Sequence, residues 1–252
     1  MDATVTAIFL SLTGLLIGSF LTVVAHRVPR GEPIATGRSR CPGCGAQVAA
    51  YDNVPVLSWL ALRGNARCCG ARISPRYPLT ELVTAALFAA TALAFHRDAT
   101  ELALGLVLVA TLVAVTLTDL ERRIIPNRVL LVAAPLAVAI AAVGDPGSLP
   151  ERAIAAVAAG GLLLAAALAY PRGMGLGDVK LAATMGLFLG RDVGPALFVA
   201  LLVGSLVGLA MIARHGAAAR KRAIPFGPFL ALGGLVALFA GEEMIDWYLG
   251  AF

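Results

Sequence analysis

Two aspartates in this chain have the type and placement that peptide-bond hydrolysis requires. Asp178 follows the glycines of Gly175-Leu-Gly177-Asp at the start of an apolar run, and Asp119 ends another apolar run. A carboxylate at the edge of a membrane-length segment is costly unless it is paired or functional. Two such groups side by side could share one proton and activate a water molecule. We therefore ask which elements would bring Asp119 and Asp178 together.

The composition identifies an integral membrane protein. Of the 252 residues, 59% are hydrophobic and 14% are charged, and the mean hydropathy is +0.86. Soluble domains are about 45–50% apolar and about 25% charged. The chain also carries a net charge of +5. Basic loops of a membrane protein explain such a charge, so we do not expect a nucleic-acid partner.

Apolar runs predict an all-α protein with about eight transmembrane helices, since one crossing takes about 20 helical residues. The run at 179–190 is short, and the run at 129–143 contains Pro135. The predicted segments are 3–25, 79–95, 102–119, 129–143, 152–170, 179–190, 194–213 and 227–249. They imply three parts: a first transmembrane helix (1–25), a polar loop subdomain (26–78) and a seven-helix membrane core (79–252).

Basic residues are concentrated in alternate loops. Eight arginines lie in the 26–78 loop, at positions 27, 30, 38, 40, 63, 67, 72 and 76. Further basic residues in alternate loops are Arg122, Arg123, Arg128, Arg172, Arg214, Arg220, Lys221 and Arg222. Cytoplasmic loops are enriched in Lys and Arg, so we expect these loops inside and both termini on the extracytoplasmic side. Asp119 and Asp178 would then lie at cytoplasmic helix ends, on one face.

All four cysteines fall in the polar loop subdomain, in Cys41-Pro-Gly-Cys44 and in the adjacent pair Cys68-Cys69. Two thiolates spaced as Cys-x-x-Cys can face one tetrahedral Zn²⁺ ion. Neighbouring cysteines rarely point at one metal, so the expected set is Cys41, Cys44 and Cys69 with either Cys68 or a ligand from elsewhere. The metal would be structural and would compensate for a small core. The alternative is four reduced cysteines without a ligand.

Seven motifs, in order from residue 18 to about 235, make the chain resemble the type IV prepilin peptidases. They are Gly18-Ser-Phe-Leu, Ser39-Arg-Cys-Pro, Asp52-Asn-Val-Pro-Val-Leu-Ser-Trp-Leu, Ile73-Ser-Pro-Arg-Tyr-Pro-Leu-Thr-Glu, Asp119-Leu-Glu-Arg-Arg-Ile-Ile-Pro-Asn, Gly175-Leu-Gly-Asp-Val-Lys-Leu and Ile224-Pro-Phe-Gly-Pro-Phe-Leu. The resemblance implies a multi-pass enzyme of the bacterial inner membrane in the GxGD class of aspartyl proteases.

Such enzymes cleave the basic leader of type IV prepilins and type II secretion pseudopilins at the cytosolic membrane face, after a Gly. Many then methylate the new N-terminal residue, usually Phe, with S-adenosylmethionine. The resemblance implies that Asp119 and Asp178 are catalytic and that residues 79–252 form the peptidase core. We expect Gly175 and Gly177 to let the backbone bend and the substrate approach. Lys180 would tune the acid pair or hold a charge at the membrane boundary.

Two positions depart from the family pattern. The second half of the zinc motif reads Gly64-Asn-Ala66-Arg-Cys68-Cys69, so Ala66 replaces the third ligand and Cys68 is a possible substitute. Thr22 replaces the Asn that follows Gly-Ser-Phe-Leu in the family. Both changes bear on the metal site and on methylation. They leave the acid pair intact.

Other readings of the acidic residues stay open at this point. Asp119 could form an ion pair with Arg122 or Arg123, and Asp178 could be a helix N-cap. Glu81 is a third candidate polar site residue, and it could instead pair with Arg76 of the same motif or with Arg72, which directly precedes that motif.

Three functions compete. One is the aspartyl peptidase, with or without methyltransferase activity. The second is a proton-coupled transporter, which usually shows inverted repeats and acids near the membrane midplane. The third is a membrane scaffold that docks a partner through its cysteine loop. We see no repeat, and both acids lie at segment edges, which favours the peptidase.

Overall fold

The computed structural model describes residues 2–34, 39–41, 43–170, 174–216 and 225–251, without the side chain of His215. Within these residues the chain forms helices and turns and no β-strand. It divides into two compact units, Met1–His96 and Arg97–Phe252. The predicted residues Arg38, Pro42, Arg172, Arg220, Lys221, Arg222 and Ile224 lie outside the described residues.

The first unit is a helical hairpin with an irregular insertion. Its helices are α1 (Ala3–Arg27), α2 (Leu57–Ala61) and α3 (Arg76–Phe95). Helices α1 and α3 are antiparallel, because Gly14 lies against Ala85 and Gly18 lies against Glu81. The insertion between them contains α2 and two isolated antiparallel bridges, Arg40 with Gln47 and Asn65 with Arg72.

The second unit contains six helices in its described residues. They are α4 (Ala99–Arg122), α5 (Asn127–Gly144), α6 (Leu149–Ala169), α7 (Leu176–Leu189), α8 (Val193–His215) and α9 (Gly227–Gly250). The buried core of this unit is aliphatic, with Leu108, Leu112, Leu181, Met185 and Leu230 almost fully enclosed. Pro135 does not end α5, which continues to Gly144.

Small residues let the helices of the second unit pack closely, as is common in membrane proteins. Helix α7 runs antiparallel to α6, and a Cβ atom at Gly186 would lie 2.6 Å from backbone atoms of Ala156. Helix α9 runs antiparallel to α4, with Gly234 beside Leu112. The start of α7, the start of α9 and the end of α4 therefore lie at the same end of this unit.

Each predicted segment corresponds to a helix, and the all-α membrane architecture is confirmed. Within the described residues, seven helical runs are long and apolar enough to cross a membrane, which is close to the predicted number of about eight. The difference lies at α7, whose 14 residues reach only about 21 Å at 1.5 Å per residue. A short 3₁₀ turn, Gly190–Asp192, links it to α8, so these two helices count as one run, Leu176–Arg214. The boundaries predicted between the first helix, the polar loop subdomain and the membrane core, after residues 25 and 78, remain predictions.

Candidate active site

Asp119 lies in the last turn of α4 and is 5% exposed. Its Oδ2 accepts a hydrogen bond from the backbone N–H of Gly227, the first residue of α9, at 2.8 Å. No arginine of the described ranges lies within ion-pair distance of this carboxylate. Neither Arg122 nor Arg123 therefore forms the ion pair predicted as an alternative, although the charge of Arg123 is close enough to act on the carboxylate. The Arg123 backbone N–H also donates to the Asp119 carbonyl.

Asp178 is the third residue of α7 and is 8% exposed. The cap position belongs to Gly175, so the predicted role of Asp178 as the N-cap is wrong. Its Oδ2 accepts from the Gly175 N–H at 3.0 Å, and its own N–H donates to the Gly175 carbonyl at 3.1 Å. These reciprocal bonds fix the carboxylate against the first turn, as the acid of a capping box does.

The fold brings the two carboxylates to the same end of the second unit. Helices α4 and α7 are in contact, and the charges of Asp119 and Asp178 are close enough to interact. Both side chains are buried, and each receives a backbone N–H. A carboxylate has about four lone-pair sites, so each retains the capacity to accept from a water molecule.

The two glycines before Asp178 do not adopt the backbone conformations that the predicted bend would require, and the predicted close approach of the substrate stays a prediction. Gly175 has φ −87° and ψ 150°, which any residue adopts, and neither glycine has a positive φ. A Cβ atom at Gly177 would lie 3.0 Å from Cβ of Ile125, on the segment between α4 and α5. Gly177 thus allows the start of α7 to approach that segment closely, and the prediction of a glycine-dependent bend is wrong.

Lys180 connects α7 to α5. Its Nζ donates to Oδ1 of Asn127 at 3.0 Å, and the lysine is exposed. Asn127 is the first residue of α5 and ends the matched motif that begins at Asp119. Its contact with Lys180 was not foreseen, because the sequence gives no distance between residues 53 positions apart.

Gly227 is a residue of the candidate site that the sequence analysis did not single out. Besides donating its N–H, it leaves space for the carboxylate, since a Cβ atom there would lie 2.8 Å from Oδ2 and 3.2 Å from Cβ of Asp119. The available signal was its place in the motif Ile224-Pro-Phe-Gly-Pro-Phe-Leu. The motif alone does not say which acid the glycine meets.

Glu81 lies in the first unit, on the second turn of α3, and is 7% exposed. Its Oε2 accepts from the backbone N–H of Val56 at 2.7 Å. Val56 has φ +61°, a value that is rare for a β-branched residue. Glu81 thus anchors the start of α2 to α3, and the alternative of an ion pair with Arg76 or Arg72 stays a prediction.

Replacing Glu81 with Ala should loosen the 26–78 loop. The Val56 N–H would lose its acceptor, which costs about 1–3 kcal/mol, so limited proteolysis within the loop should become faster. Glu81→Gln keeps a carbonyl acceptor, and we expect it to retain both protease resistance and enzymatic activity. A Gln variant with an intact loop and no activity would show that the carboxylate acts in the reaction itself.

The four cysteine sulfurs lie together in the first unit. Their Sγ atoms are all within 4.8 Å of one another, with 3.6 Å between Cys41 and Cys69 and 3.3 Å between Cys44 and Cys68. Tetrahedral Zn–S bonds of about 2.3 Å place sulfurs about 3.8 Å apart. The four thiols therefore fit a zinc ion. Cys68 belongs to the set, although adjacent cysteines were expected to diverge.

Backbone N–H groups prepare Cys41 for a metal. Hydrogen bonds from the N–H groups of Cys44 and Gly43 lower the pKa of the Cys41 thiol to about 6, because they stabilise the thiolate. The neighbouring thiols of Cys44 and Cys41 raise the pKa of Cys68 to about 12. A thiolate is the form that binds metal.

Comparisons with known proteins agree with the motif resemblance. The family described as "Bacterial Peptidase A24 N-terminal domain" matches residues 12–95, and the "Type IV leader peptidase family" matches residues 106–213. Both acids of the candidate site fall in the second match. No solved structure matches the chain.

Curated relatives cover nearly the whole chain. A "Prepilin leader peptidase/N-methyltransferase" of Bacillus subtilis strain 168 is 36% identical over 94% of this chain and 95% of its own length. A protein of the same name from Aeromonas hydrophila is 36% identical over 96% of this chain and 93% of its own length. A third, from Myxococcus xanthus, is 41% identical over 84% of this chain and 65% of its own length.

Proposed function

The chain belongs to the type IV leader peptidase family and is a prepilin peptidase, and on that premise we propose that Asp119 and Asp178 are its catalytic pair. The observation that supports this proposal is that two buried carboxylates, whose charges are close enough to interact, lie at one end of the second unit. Each is oriented by a backbone N–H, from Gly227 and from Gly175. A membrane scaffold would need neither the pairing nor the orientation.

The proposed chemistry follows from the interaction between the like charges of the Asp119 and Asp178 carboxylates. The pair retains one proton, because two adjacent carboxylates cannot both ionise at neutral pH. The ionised carboxylate removes a proton from water as the water oxygen bonds to the scissile carbonyl carbon. The protonated carboxylate gives its proton to the carbonyl oxygen. When the tetrahedral intermediate collapses, the C–N bond breaks, the departing amine takes a proton from one carboxyl group, and a hydroxyl of the intermediate returns its proton to the other carboxylate.

We propose that the substrate is the basic leader of a type IV prepilin or pseudopilin, cut after a Gly at the cytosolic membrane face. The distribution of the 20 Lys and Arg residues supports cytosolic loops next to Asp119 and Asp178, with both termini on the extracytoplasmic side of the inner membrane. The relatives' printed name supports the prepilin substrate. The scissile segment must be extended at the site, because a helical peptide bond is shielded from attack.

Supporting roles in the second unit go to Gly175, Gly177 and Lys180. Gly175 provides the N–H that holds Asp178, Gly177 admits Ile125, and Lys180 joins α7 to Asn127. In the first unit Glu81 holds the loop through Val56. None of these residues needs to touch the reacting atoms.

We further propose a structural zinc ion held by Cys41, Cys44, Cys68 and Cys69, whose sulfur positions fit one. All four ligands are thiolates, which is typical of closed structural sites. The ion would stabilise the fold of the 26–78 loop.

Cys68→Ser should lower zinc affinity by at least about tenfold, since even outer-shell changes cost 10–100-fold. Zinc released by a thiol reagent from purified protein, read with a chromogenic chelator, measures the occupancy. Adding Ala66→Cys to Cys68→Ser recreates the family spacing and should restore binding. Undiminished zinc in Cys68→Ser alone would exclude Cys68 as a ligand.

The relatives are named as N-methyltransferases, and we propose the same second activity, with S-adenosylmethionine as the methyl donor. Because Ala66 and Thr22 depart from the family pattern, the alternative is an enzyme with peptidase activity and no methyltransferase activity. The Thr22 hydroxyl donates to the Ser19 carbonyl within α1 at 2.7 Å.

Co-expression with a prepilin tests both activities. We expect the product to migrate faster on a gel than the precursor, because the leader is lost. Mass spectrometry of its N-terminus should show one added methyl group. If the prepilin kept its original gel mobility although the protein was inserted in the membrane, the peptidase assignment would be contradicted. A cleaved product without the methyl group would show that the chain has peptidase activity only.

A further inference from the structure

Helix α2 presents an apolar face that nothing in the described chain covers. Leu57 is 65% exposed and Leu60 is 58% exposed, and at a spacing of three residues they lie on one side of a helix. Trp59 points the other way: its indole N–H donates to the Ile73 carbonyl at 3.1 Å, and Gly64 packs against its ring. The helix therefore has an inner side held by Trp59 and an outer side made of two leucines.

The hydrogen bond between Glu81 and Val56 sets the level of this face relative to the membrane. Helix α3 is a candidate membrane span, Arg76–Phe95, and its 20 residues reach about 30 Å, the thickness of the hydrocarbon core. Glu81 lies about 7 Å along the helix from Arg76. Val56, the residue before α2, is 2.7 Å from the Glu81 carboxylate. The start of α2 is thus held within about 10 Å, or two helical turns, of the membrane boundary.

The charges around α2 are complementary to an anionic lipid surface. Arg63 and Arg72, on the segment that follows α2, are both exposed, and Arg67 is exposed and pairs with Asp52. Exposed leucines beside exposed arginines are typical of elements that lie in the membrane interface. A water-facing helix would not require two large aliphatic side chains there.

We infer that α2 is an interfacial helix whose outer face, Leu57 and Leu60, inserts into the lipid leaflet at the Arg76 end of α3. The occupant of this face is the bilayer, and not a second copy or a protein partner. The inference rests on the position of α2 relative to α3 and does not depend on the proposed catalytic pair. Helix α2 would then attach the loop subdomain to the membrane in addition to the spanning helices α1 and α3.

Photo-crosslinking identifies the occupant directly. The intact protein carries p-benzoylphenylalanine in place of Leu57 or Leu60 and is reconstituted with phosphatidylethanolamine and phosphatidylglycerol. Val157, an exposed residue of the membrane span α6, is the positive control, and the exposed Gln47 is the negative control. After irradiation, intact-mass spectrometry counts lipid adducts. We expect yields at 57 and 60 near that at 157 and at least about tenfold above that at 47.

A crosslink from 57 or 60 to another copy of the chain, to added prepilin or to other residues of the same chain, without lipid adducts, would overturn the inference. So would a lipid yield no higher than at 47. Fluorescence gives an independent measurement if a photo-probe variant folds poorly. In a Trp247→Phe background the remaining tryptophan, Trp59, gives a baseline that is measured alone and subtracted. After subtraction, brominated lipid should quench Leu60→Trp more strongly than Gln47→Trp, and equal quenching would also overturn the inference.

Discussion

Asp119→Asn and Asp178→Asn should each abolish leader cleavage while the protein still inserts in the membrane. Each change removes a group that must carry or accept a proton, and general acid–base catalysis contributes about 10²–10⁴-fold. Because the pair shares one proton, neither member can replace the other. We therefore expect the double variant to be no slower than either single variant. Cleavage is measured as loss of precursor with time, at matched enzyme levels in the membrane fraction.

The control for this series is Asp246→Asn, an isosteric change at an exposed acid of α9. It removes the same charge without touching the site and should leave cleavage unchanged. Normal processing by Asp119→Asn or by Asp178→Asn would contradict the two-carboxylate mechanism. If the chain acted only as a docking scaffold, all three variants would behave alike.

Gly227→Ala is the second change with a large expected effect. A Cβ atom there would lie 2.8 Å from Oδ2 of Asp119 and 3.1 Å from its Cγ, so the carboxylate or the start of α9 must move. A displacement of about 1 Å at a reacting group can cost about 10²-fold in rate. Alanine is the best helix former, so the loss would arise from the contact with Asp119 and not from the helix. The measurement is the cleavage rate alongside thermal unfolding.

The matched control is Gly161→Ala in the middle of α6, where a Cβ atom meets nothing within 4 Å. The same substitution should leave activity unchanged, since it adds a methyl group to open space and favours the helix by up to about 1 kcal/mol. If Gly227→Ala kept full activity, the carboxylate of Asp119 would not need its present position. If both variants lost activity together, glycine flexibility in the helices would be the cause.

Most of the secondary structure was predictable from the sequence because apolar runs of membrane length allow few alternatives. Every predicted segment has a helix, and the ends differ by a few residues, as for 79–95 against Arg76–Phe95. The predicted and observed numbers of membrane-spanning runs differ only at α7. The 14 residues of α7 are too few to cross the hydrocarbon core alone, and hydropathy does not show where such a short helix ends and the chain turns back.

The candidate site was predictable in its residue types but not in its contacts. Asp119 and Asp178 were selected by cost, charge distribution and motif. The alternatives of an ion pair and an N-cap could be rejected only when the hydrogen bonds were known. The glycines before Asp178 were assigned to a bend, because a sequence shows the missing side chain but not the neighbour, Ile125, that takes its space.

The adjacent cysteines illustrate the same limit in the first unit. Sequence spacing suggested that Cys68 and Cys69 would diverge, whereas the turn that contains them brings both sulfurs to Cys41 and Cys44. Glu81 was singled out correctly as a special polar residue. Its partner turned out to be the backbone of Val56, which no pairing rule for charged side chains would select.

The sequence by itself determined a membrane protein of about eight helices, two acids at helix ends and membership of a peptidase family, because composition, length and motif order are local properties. Only the tertiary structure decided that Gly227 and Gly175 orient the acids, that Cys68 joins the thiol cluster and that α2 has an uncovered apolar face. These features depend on helices packed against each other across long stretches of chain. Close packing fixes such distances, and residue types alone do not.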